Sequence, residues 1–268
     1  MDRIKRILRI CVSVLTWMSS GFMLLVPLWF LLAALGTKWE FWSWHFGLET
    51  MVHSAGFWLI FTCLVTGVLA LAAILVHRLM VREWFGVISP SVWAVLIGVG
   101  GLIWLYALVQ ARETTPPLLD VTTDLVDPPH FSASFVDRRD PTLNSLDYNA
   151  HVFADGRSYR AVQAETYPHI ASWVSDESSD ALYRRAISQA RFLGWRIGTA
   201  SEPAGMFEAS TESFWFGFKD DVVVRIRARE TGGSVLDVRS VARDYVHDLG
   251  RNANRVEDFL ERLEEGPA

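Results

Sequence analysis

The chain has 268 residues, 51% of them hydrophobic, with 25 Lys plus Arg against 30 Asp plus Glu. The first 111 residues hold 7 basic and 4 acidic side chains, so the remaining 18 basic and 26 acidic residues leave the C-terminal part at −8. This charge argues against a nucleic-acid partner, whose phosphates require a basic face. Neither a P-loop nor a dinucleotide fingerprint occurs, and Cys11 and Cys63 lie in apolar runs, so we expect no disulfide framework.

Three apolar segments dominate the N-terminal part, at residues 10–36, 54–76 and 84–111. A helix that crosses about 30 Å of hydrocarbon at about 1.5 Å per residue needs roughly 20 apolar residues. A signal peptide is the alternative for the first segment, but its apolar core would be only about 7 to 15 residues long. The pattern therefore predicts a three-helix transmembrane anchor over residues 1–111, with Pro27 bending the first helix.

The basic residues predict how this anchor is oriented, because Lys and Arg in short loops resist translocation. Four of them precede the first segment, and Arg78 and Arg82 lie in the second loop. The first loop, residues 37–53, has only Lys38 against Glu40 and Glu49. We therefore expect a cytoplasmic N-terminus and a C-terminal domain outside, which in a bacterial cell means an inner-membrane protein with a periplasmic domain.

The first loop is rich in aromatic residues typical of a headgroup boundary, namely Trp39, Phe41, Trp42, Trp44 and Phe46. These predict an interfacial half-helix. His45, Glu49 and His53 have helical spacing and are candidate metal ligands. No fourth ligand is evident, so we favour three polar residues on the wet side of the half-helix and expect neither a metal nor a cofactor.

Residues 112–150 are predicted to form an extended tether, because Pro116, Pro117, Pro128, Pro129 and Pro141 oppose a helix. Apolar residues within it are expected to dock onto a core: Val121, Leu125, Val126, Phe131 and Phe135.

The rest of the C-terminal part alternates between helical and strand patterns. Helices are predicted at residues 158–165 and from Ser178 or Ser179 to Leu193, the latter burying Leu182, Ala186, Ala190 and Leu193. Strands are predicted at residues 195–200, 206–218, 221–229 and 235–243. A final helix is expected to open with Asn252 as its cap and to bury Val256, Phe259, Leu260 and Leu263. The sequence thus predicts an α+β domain over residues 112–268, an antiparallel sheet packed by helices.

The last two strands alternate in character. Apolar residues share one face, namely Val222, Val224, Ile226, Ala228, Leu236 and Val238, and charged residues share the other, namely Arg225, Arg227, Arg229, Asp237 and Arg239. Only a turn of odd length, such as residues 231–233 with a left-handed glycine, keeps the two sets in register.

The charged face allows two interpretations. Its arginines can form solvated ion pairs with Asp237 and with neighbouring acids, namely Asp220, Asp221, Asp244 and Asp248. Alternatively, they can form a platform for an anionic group, since guanidinium matches carboxylate and phosphate. The acidic surroundings favour the first interpretation.

The C-terminal part also resembles the family named domain of unknown function 1499, over residues 120–263. The resemblance is carried by the strings DVTTD (120–124), PPHF (128–131), YPHI (167–170), GWRI (194–197), FGFKDDVVVR (216–225), DVRS (237–240) and DLGRNANR (248–255), with Gln163. The chain departs from the family pattern at Asp244, Tyr245 and His247. The family has no established activity, so the resemblance implies a shared fold and a candidate site among its polar residues: Arg225, Asp237, Arg239, Ser240, Arg243, Asp248, Asn252 and Arg255.

Three functions remain open from the sequence. The leading one is a non-enzymatic inner-membrane protein whose periplasmic module binds a lipid headgroup, a wall polymer or a partner protein. The second is an envelope enzyme that uses Asp237, Arg239, Arg243 and Asp248, although no catalytic motif is recognised. The third is a membrane bundle that assembles through Gly98, Gly100 and Gly101. A pocket holding those four polar residues would favour the enzyme, and a flat arginine face would favour binding.

Overall fold

The computed structural model describes residues 2–244 and 247–266. The chain divides into two compact units. A helical unit comprises Met1–Gln110 together with Phe214–Gly217, and a C-terminal unit comprises Ala111–Ser213 and Phe218–Ala268.

Three long helices form the helical unit. Helix α1 is Asp2–Lys38, α2 is Gly56–Val81 and α3 is Ile88–Thr114, and the π-helix His45–Ala55 leads directly into α2. By length and composition, three helical stretches could each cross a membrane, which confirms the three predicted apolar helices. Helix α1 continues through Pro27. The predicted interfacial half-helix is the π-helix, which forms one continuous stretch with α2.

Close packing in the helical unit uses two of the three glycines proposed as an assembly surface. A Cβ atom at Gly98 would lie 2.6 Å from Cβ of Leu64, and one at Gly101 would lie 2.9 Å from Cδ1 of Ile60. A Cβ atom at Gly100 would meet nothing within 4 Å. Gly98 and Gly101 therefore hold α3 against α2 within one chain.

The C-terminal unit is an antiparallel sheet packed by helices, as predicted. Within the described residues its strands are β1 (Asp120–Thr122), β2 (Trp173–Ser175), β3 (Arg196–Ser201), β4 (Met206–Glu212), β5 (Lys219–Ala228) and β6 (Ser234–Ala242). The strand order is β1-β6-β5-β4-β3, and β2 also pairs with β6. The helices are α4 (Ala133–Val136), α5 (Tyr159–Thr166), α6 (Ser179–Phe192) and α7 (Arg251–Glu265), with a 3-10 turn at Tyr148–Ala150. Strands β1 and β2 were not predicted, because three residues carry too little alternation.

Helix ends follow local capping chemistry, with one correction. Ser178, one of the two predicted caps, caps α6, and Ser158 caps α5, each by accepting a backbone N–H three residues on. The prediction that Asn252 caps the last helix is wrong. Gly250, at φ +77°, occupies that position, and the carboxylate of Asp248 accepts the N–H groups of Gly250 and Asn252. The buried Asp248, two residues before Gly250, accepts N–H groups that have no partner within the helix. The side chain of Asn252 is therefore available for other hydrogen bonds.

The turn between β5 and β6 has odd length, as the alternation requires. Ala228 pairs with Ser234, which leaves residues 229–233 as the connection. Gly232 and Gly233 both have positive φ, at +91° and +73°. Val224 faces Val238 and Ile226 faces Leu236, so the apolar side chains share one face. That face packs in the main core with residues of α6 and α7, among them Leu182, Ala186, Val256 and Phe259.

The opposite face of β5 and β6 is covered as well. Phe131, Val223 and Val241 form a buried cluster, against which Phe135, Leu146 and Met206 pack. Residues 112–150 are therefore more than an extended tether, because some of them cover this face of β5 and β6. Val121, Leu125, Phe131 and Phe135 dock as predicted, but Val126 is 82% exposed.

Candidate functional site

Four buried aspartates organise the charged residues of the C-terminal unit. Asp120, Asp220, Asp221 and Asp237 are each 0% exposed. Every one of them binds at least one arginine. An unpaired buried charge costs free energy, so these ion pairs stabilise the folded unit. Only those arginines that remain partly exposed are accessible to a ligand.

Arg239 is the most deeply buried of these arginines, with 1% of its side chain exposed. It forms a bidentate pair with Asp120, from Nη2 to Oδ2 at 2.6 Å and from Nε to Oδ1 at 2.9 Å. Its remaining N–H groups donate to the carbonyls of Pro129 and Leu146 at 3.2 and 2.6 Å. Arg239 lies on the predicted face, since it pairs across the strands with Val223, but it is neither solvated nor open to a ligand.

Arg225 and Arg227 share the carboxylate of Asp237, at 3.2 and 2.7 Å from their Nη2 atoms. Both also bind Asp124, at 3.2 and 3.3 Å. The pairing with Asp237 is the one the sequence indicates. Asp127 also contacts both arginines. The sequence did not indicate Asp124 or Asp127 as partners, because both lie about a hundred positions from the arginines.

Asp124 shows how this cluster holds its charge. Burial alone would raise the pKa of its carboxyl. Hydrogen bonds from the backbone N–H groups of Asp127 and Val126, together with the charge of Arg225, outweigh burial and lower the pKa below its ordinary value. The carboxylate form of Asp124 is therefore favoured. Its negative charge compensates the positive charges of the arginines beside it.

The four polar residues expected in an enzyme bind four different groups. Asp237 binds Arg225 and Arg227, and Arg239 binds Asp120. Arg243 binds Asp221 at 2.7 Å, and Asp248 accepts backbone N–H groups at the start of α7. Arg229, also expected on the charged face, lies in the turn after β5 and is exposed.

A second group of predicted residues does come together beside α7. Ser240 donates to Oδ1 of Asn252 at 2.7 Å, and Nη1 of Arg255 donates to both Ser240 Oγ and Asn252 Oδ1 at 2.8 Å. Asn252 in turn donates to Asp248 at 3.0 Å. Burial raises the pKa of the Asp248 carboxyl, against the opposing effect of these hydrogen bonds. The network fixes Arg255 in one orientation.

Arg255 leads from this network into a polar cleft of about 240 Å³. The cleft is lined by Leu193, Gly194, Trp195, Thr211, Glu212, Ser213, Arg251, Arg255 and Asp258. Arg251, Arg255 and Asp258 stand on one face of α7, at spacings of four and three residues. The spacing of these three residues could have indicated the α7 side of the cleft. Trp195 and Thr211 lie outside α7, and no sequence pattern linked them to the cleft.

The two cleft arginines share one buried carboxylate. Arg251 binds Asp220 at 3.2 Å, and Arg255 also pairs with it. Their side chains remain 28% and 13% exposed. Glu212 is paired with Arg196 at 2.9 Å, so Asp258 is the further acid at the rim. The buried hydroxyl of Thr211 has no hydrogen-bond partner among the described residues. The cleft thus offers guanidinium and hydroxyl donors beside a carboxylate.

The described residues contain no group of three His, Cys, Asp or Glu side chains that could hold a metal ion. His45, Glu49 and His53, the proposed candidate ligands, lie in the π-helix and do not form such a group. His247 bridges backbone groups, accepting from Leu249 N–H at Nδ1 and donating from Nε2 to the carbonyl of Arg112 at 3.0 Å. Tyr245, the neighbouring departure from the family pattern, lies outside the described residues.

The C-terminal part of the chain matches a known protein family. The profile of a family described as "Protein of unknown function (DUF1499)" covers residues 120–263, more than half of the chain. No curated protein matches the sequence. The matched region contains all six strands and every residue of the cleft.

Proposed function

Since this chain belongs to the DUF1499 family of proteins of unknown function, we propose that it is an inner-membrane protein whose periplasmic module binds a small ligand of the cell envelope. The module corresponds to residues 112–268, and residues 1–111 are its three-helix membrane anchor. The family supplies no activity, so the proposal depends on charge distribution and on the cleft.

The orientation is supported by the basic residues at the helix ends. Arg3, Lys5, Arg6 and Arg9 lie at the start of α1, and Arg78 and Arg82 lie at the end of α2. Lys38, the last residue of α1, is the only Lys or Arg from that helix end to the start of α2. Basic residues concentrate on the cytoplasmic side, so three spans place the C-terminal module outside.

Reporter fusions test this orientation. A periplasm-dependent reporter is expected to be active after Arg112 and after Ala268, and inactive after Arg78. A cytoplasm-dependent reporter at the same three positions is the matched control and should give the inverse pattern. Activity of the periplasmic reporter after Arg78 together with silence after Ala268 would reverse the orientation.

The observation that carries the ligand proposal is the cleft wall formed by Arg251 and Arg255, two guanidiniums that share Asp220 and stay partly exposed. Guanidinium binds phosphate and carboxylate groups well. Asp258 at the rim suits an ammonium group next to that anion. The chemistry therefore favours a small zwitterion, such as a phosphoethanolamine headgroup, over a large polyanion.

Binding is proposed rather than catalysis because the cleft residues do not include Asp237, Arg239, Arg243 or Asp248. Each of these has a separate partner, so no observation favours the enzyme alternative. A partner protein remains compatible with the module, but a cleft of about 240 Å³ matches a small group better.

Equilibrium dialysis of the purified full-length protein with phosphoethanolamine tests the ligand. We expect saturable binding to the wild type and about tenfold or greater loss of affinity in Arg251→Gln, since a hydrogen bond to a charged group contributes about 1.5 to 3 kcal/mol. Arg184→Gln is the matched control, because Arg184 is 64% exposed and pairs with Glu202 outside the cleft. Inorganic phosphate and ethanolamine separate the two halves of the ligand.

Two outcomes would contradict the ligand proposal. One is the absence of saturable binding to the folded wild type. The other is equal affinity in Arg251→Gln and Arg184→Gln. Thermal unfolding of each variant, measured in the same buffer, excludes loss of fold as the cause of lost binding.

A further inference from the structure

Two adjacent aromatic residues, Phe214 and Trp215, are strongly exposed. They lie between β4 and β5, and 73% and 55% of their surfaces are accessible. Their rings pack edge to face, with centroids 5.0 Å apart. Two large exposed aromatic side chains side by side are unfavourable in water, which indicates that another phase or partner covers them.

The segment Phe214–Gly217 belongs to the helical unit. Nζ of Lys38 donates to the carbonyl of Phe214 at 2.7 Å and lies 5.1 Å from the centre of its ring. Phe216 packs against the cluster of Ala33, Met51 and Val52. The exposed pair is therefore held at the end of α1.

Lys38 indicates the depth of this position relative to a bilayer. It is the first charged residue after the apolar run of α1, which contains no Asp, Glu, Lys or Arg from Ile10 to Thr37. A lysine at the end of a spanning helix lies at the headgroup level. Trp39 and Phe41, directly after it, are also exposed, at 59% and 72%.

We propose that Phe214 and Trp215 insert into the headgroup boundary of the bilayer and form a second membrane anchor. Aromatic rings with a polar edge partition to this boundary, where Trp and Tyr are enriched. The occupant of the exposed aromatic surface is thus lipid, and the pair continues the belt begun by Trp39 and Phe41. This anchor restrains the β4–β5 connection independently of any ligand in the cleft.

Site-directed spin labelling of the full-length protein in phosphatidylcholine vesicles tests the anchor. Trp215→Cys is made in a Cys11→Ser background, because Cys11 is exposed whereas Cys63 is buried. Leu28→Cys, on an exposed position of α1, is the lipid reference, and Asp155→Cys, at an exposed charged position, is the water reference. The ratio of collisions with oxygen to collisions with a water-soluble nickel chelate reports the depth of each label.

We expect the ratio at residue 215 to shift away from the Asp155→Cys value toward that of Leu28→Cys. A ratio equal to that of Asp155→Cys would overturn the proposal. The protein with Cys11→Ser alone measures background labelling at Cys63. Phe214→Cys gives the same test at a second position if Trp215→Cys lowers the unfolding temperature.

Discussion

The two faces of β5 and β6 in the C-terminal unit are both largely buried, but by different interactions. The face with Val222, Val224 and Ile226 packs in an apolar core with α6 and α7. The other face carries Arg225, Asp237 and Arg239, and residues 124–146 cover it with aspartates, carbonyls and aromatic rings. Strand alternation therefore assigns residues to a face but leaves open whether that face is solvated.

The largest effect is expected on the apolar face. Val224→Asp places a carboxylate at a position that is 0% exposed. Burying an unpaired charge costs several kcal/mol against a total stability of about 5 to 15 kcal/mol, so we expect the unit to lose its cooperative unfolding transition. Val126→Asp, at 82% exposure, is the matched control and should melt like the wild type. Circular dichroism against temperature distinguishes the two, and a normal transition for Val224→Asp would contradict the assigned core.

The charged face is expected to respond nearly as strongly at its buried pair. Arg239→Gln leaves Asp120 without its bidentate partner, and removing one member of a buried pair costs about 3 to 5 kcal/mol. Adding Asp120→Asn should recover part of that loss, because the uncompensated charge disappears. Denaturant unfolding of both single variants and the double variant measures the coupling. Additive losses would show that the two residues do not act as a pair.

A much smaller effect is expected at the edge of the same face. Arg227 is 44% exposed, and Asp237 keeps Arg225 when Arg227 is changed. Exposed ion pairs contribute about 0 to 1 kcal/mol, so Arg227→Gln should lower the free energy of unfolding by no more than that. A loss comparable to that of Arg239→Gln, in the same denaturant series, would mean that the edge is buried too.

The smallest effect concerns pH at Asp124. Because its pKa in the folded state is lowered, the unfolded state binds more protons in acid. The stabilisation is therefore present above the unfolded pKa and is lost as the pH falls through the folded pKa. Asp124→Asn should flatten the acid limb of a plot of stability against pH. An unchanged limb would show that Asp124 is not favoured as a carboxylate.

Much of the fold could be predicted because it depends on local signals. Ser178, one of the two serines predicted as caps, caps α6, and the odd turn follows from alternation alone. The burial of Arg239 could not be predicted, since its partner Asp120 lies 119 positions away and shares no local pattern with it. Asn252 has the residue type of a cap, but Asp248 occupies that role through its buried carboxylate.

The candidate site was predicted only in part. Arg255, Asn252, Asp248 and Ser240 come from two of the strings that carry the family resemblance and meet beside α7, but Arg225, Asp237, Arg239 and Arg243 belong to other ion pairs. The cleft joins α7 to residues near β3 and β4, a juxtaposition that depends on tertiary packing. Spacing along α7 indicates that Arg251 and Arg255 share one face of the helix. It does not indicate which residues form the opposite wall of the cleft.

We propose that the arginines divide into a buried set that only stabilises the unit and a cleft set, paired with Asp220, that also binds a ligand. The most direct measurement is the rise in unfolding temperature caused by phosphoethanolamine in the wild type, Arg239→Gln and Arg251→Gln, because a ligand that binds only the folded state stabilises it. We predict a lower unfolding temperature but a preserved rise for Arg239→Gln, and a nearly normal temperature but no rise for Arg251→Gln. A rise that is lost in Arg239→Gln and kept in Arg251→Gln would contradict this division.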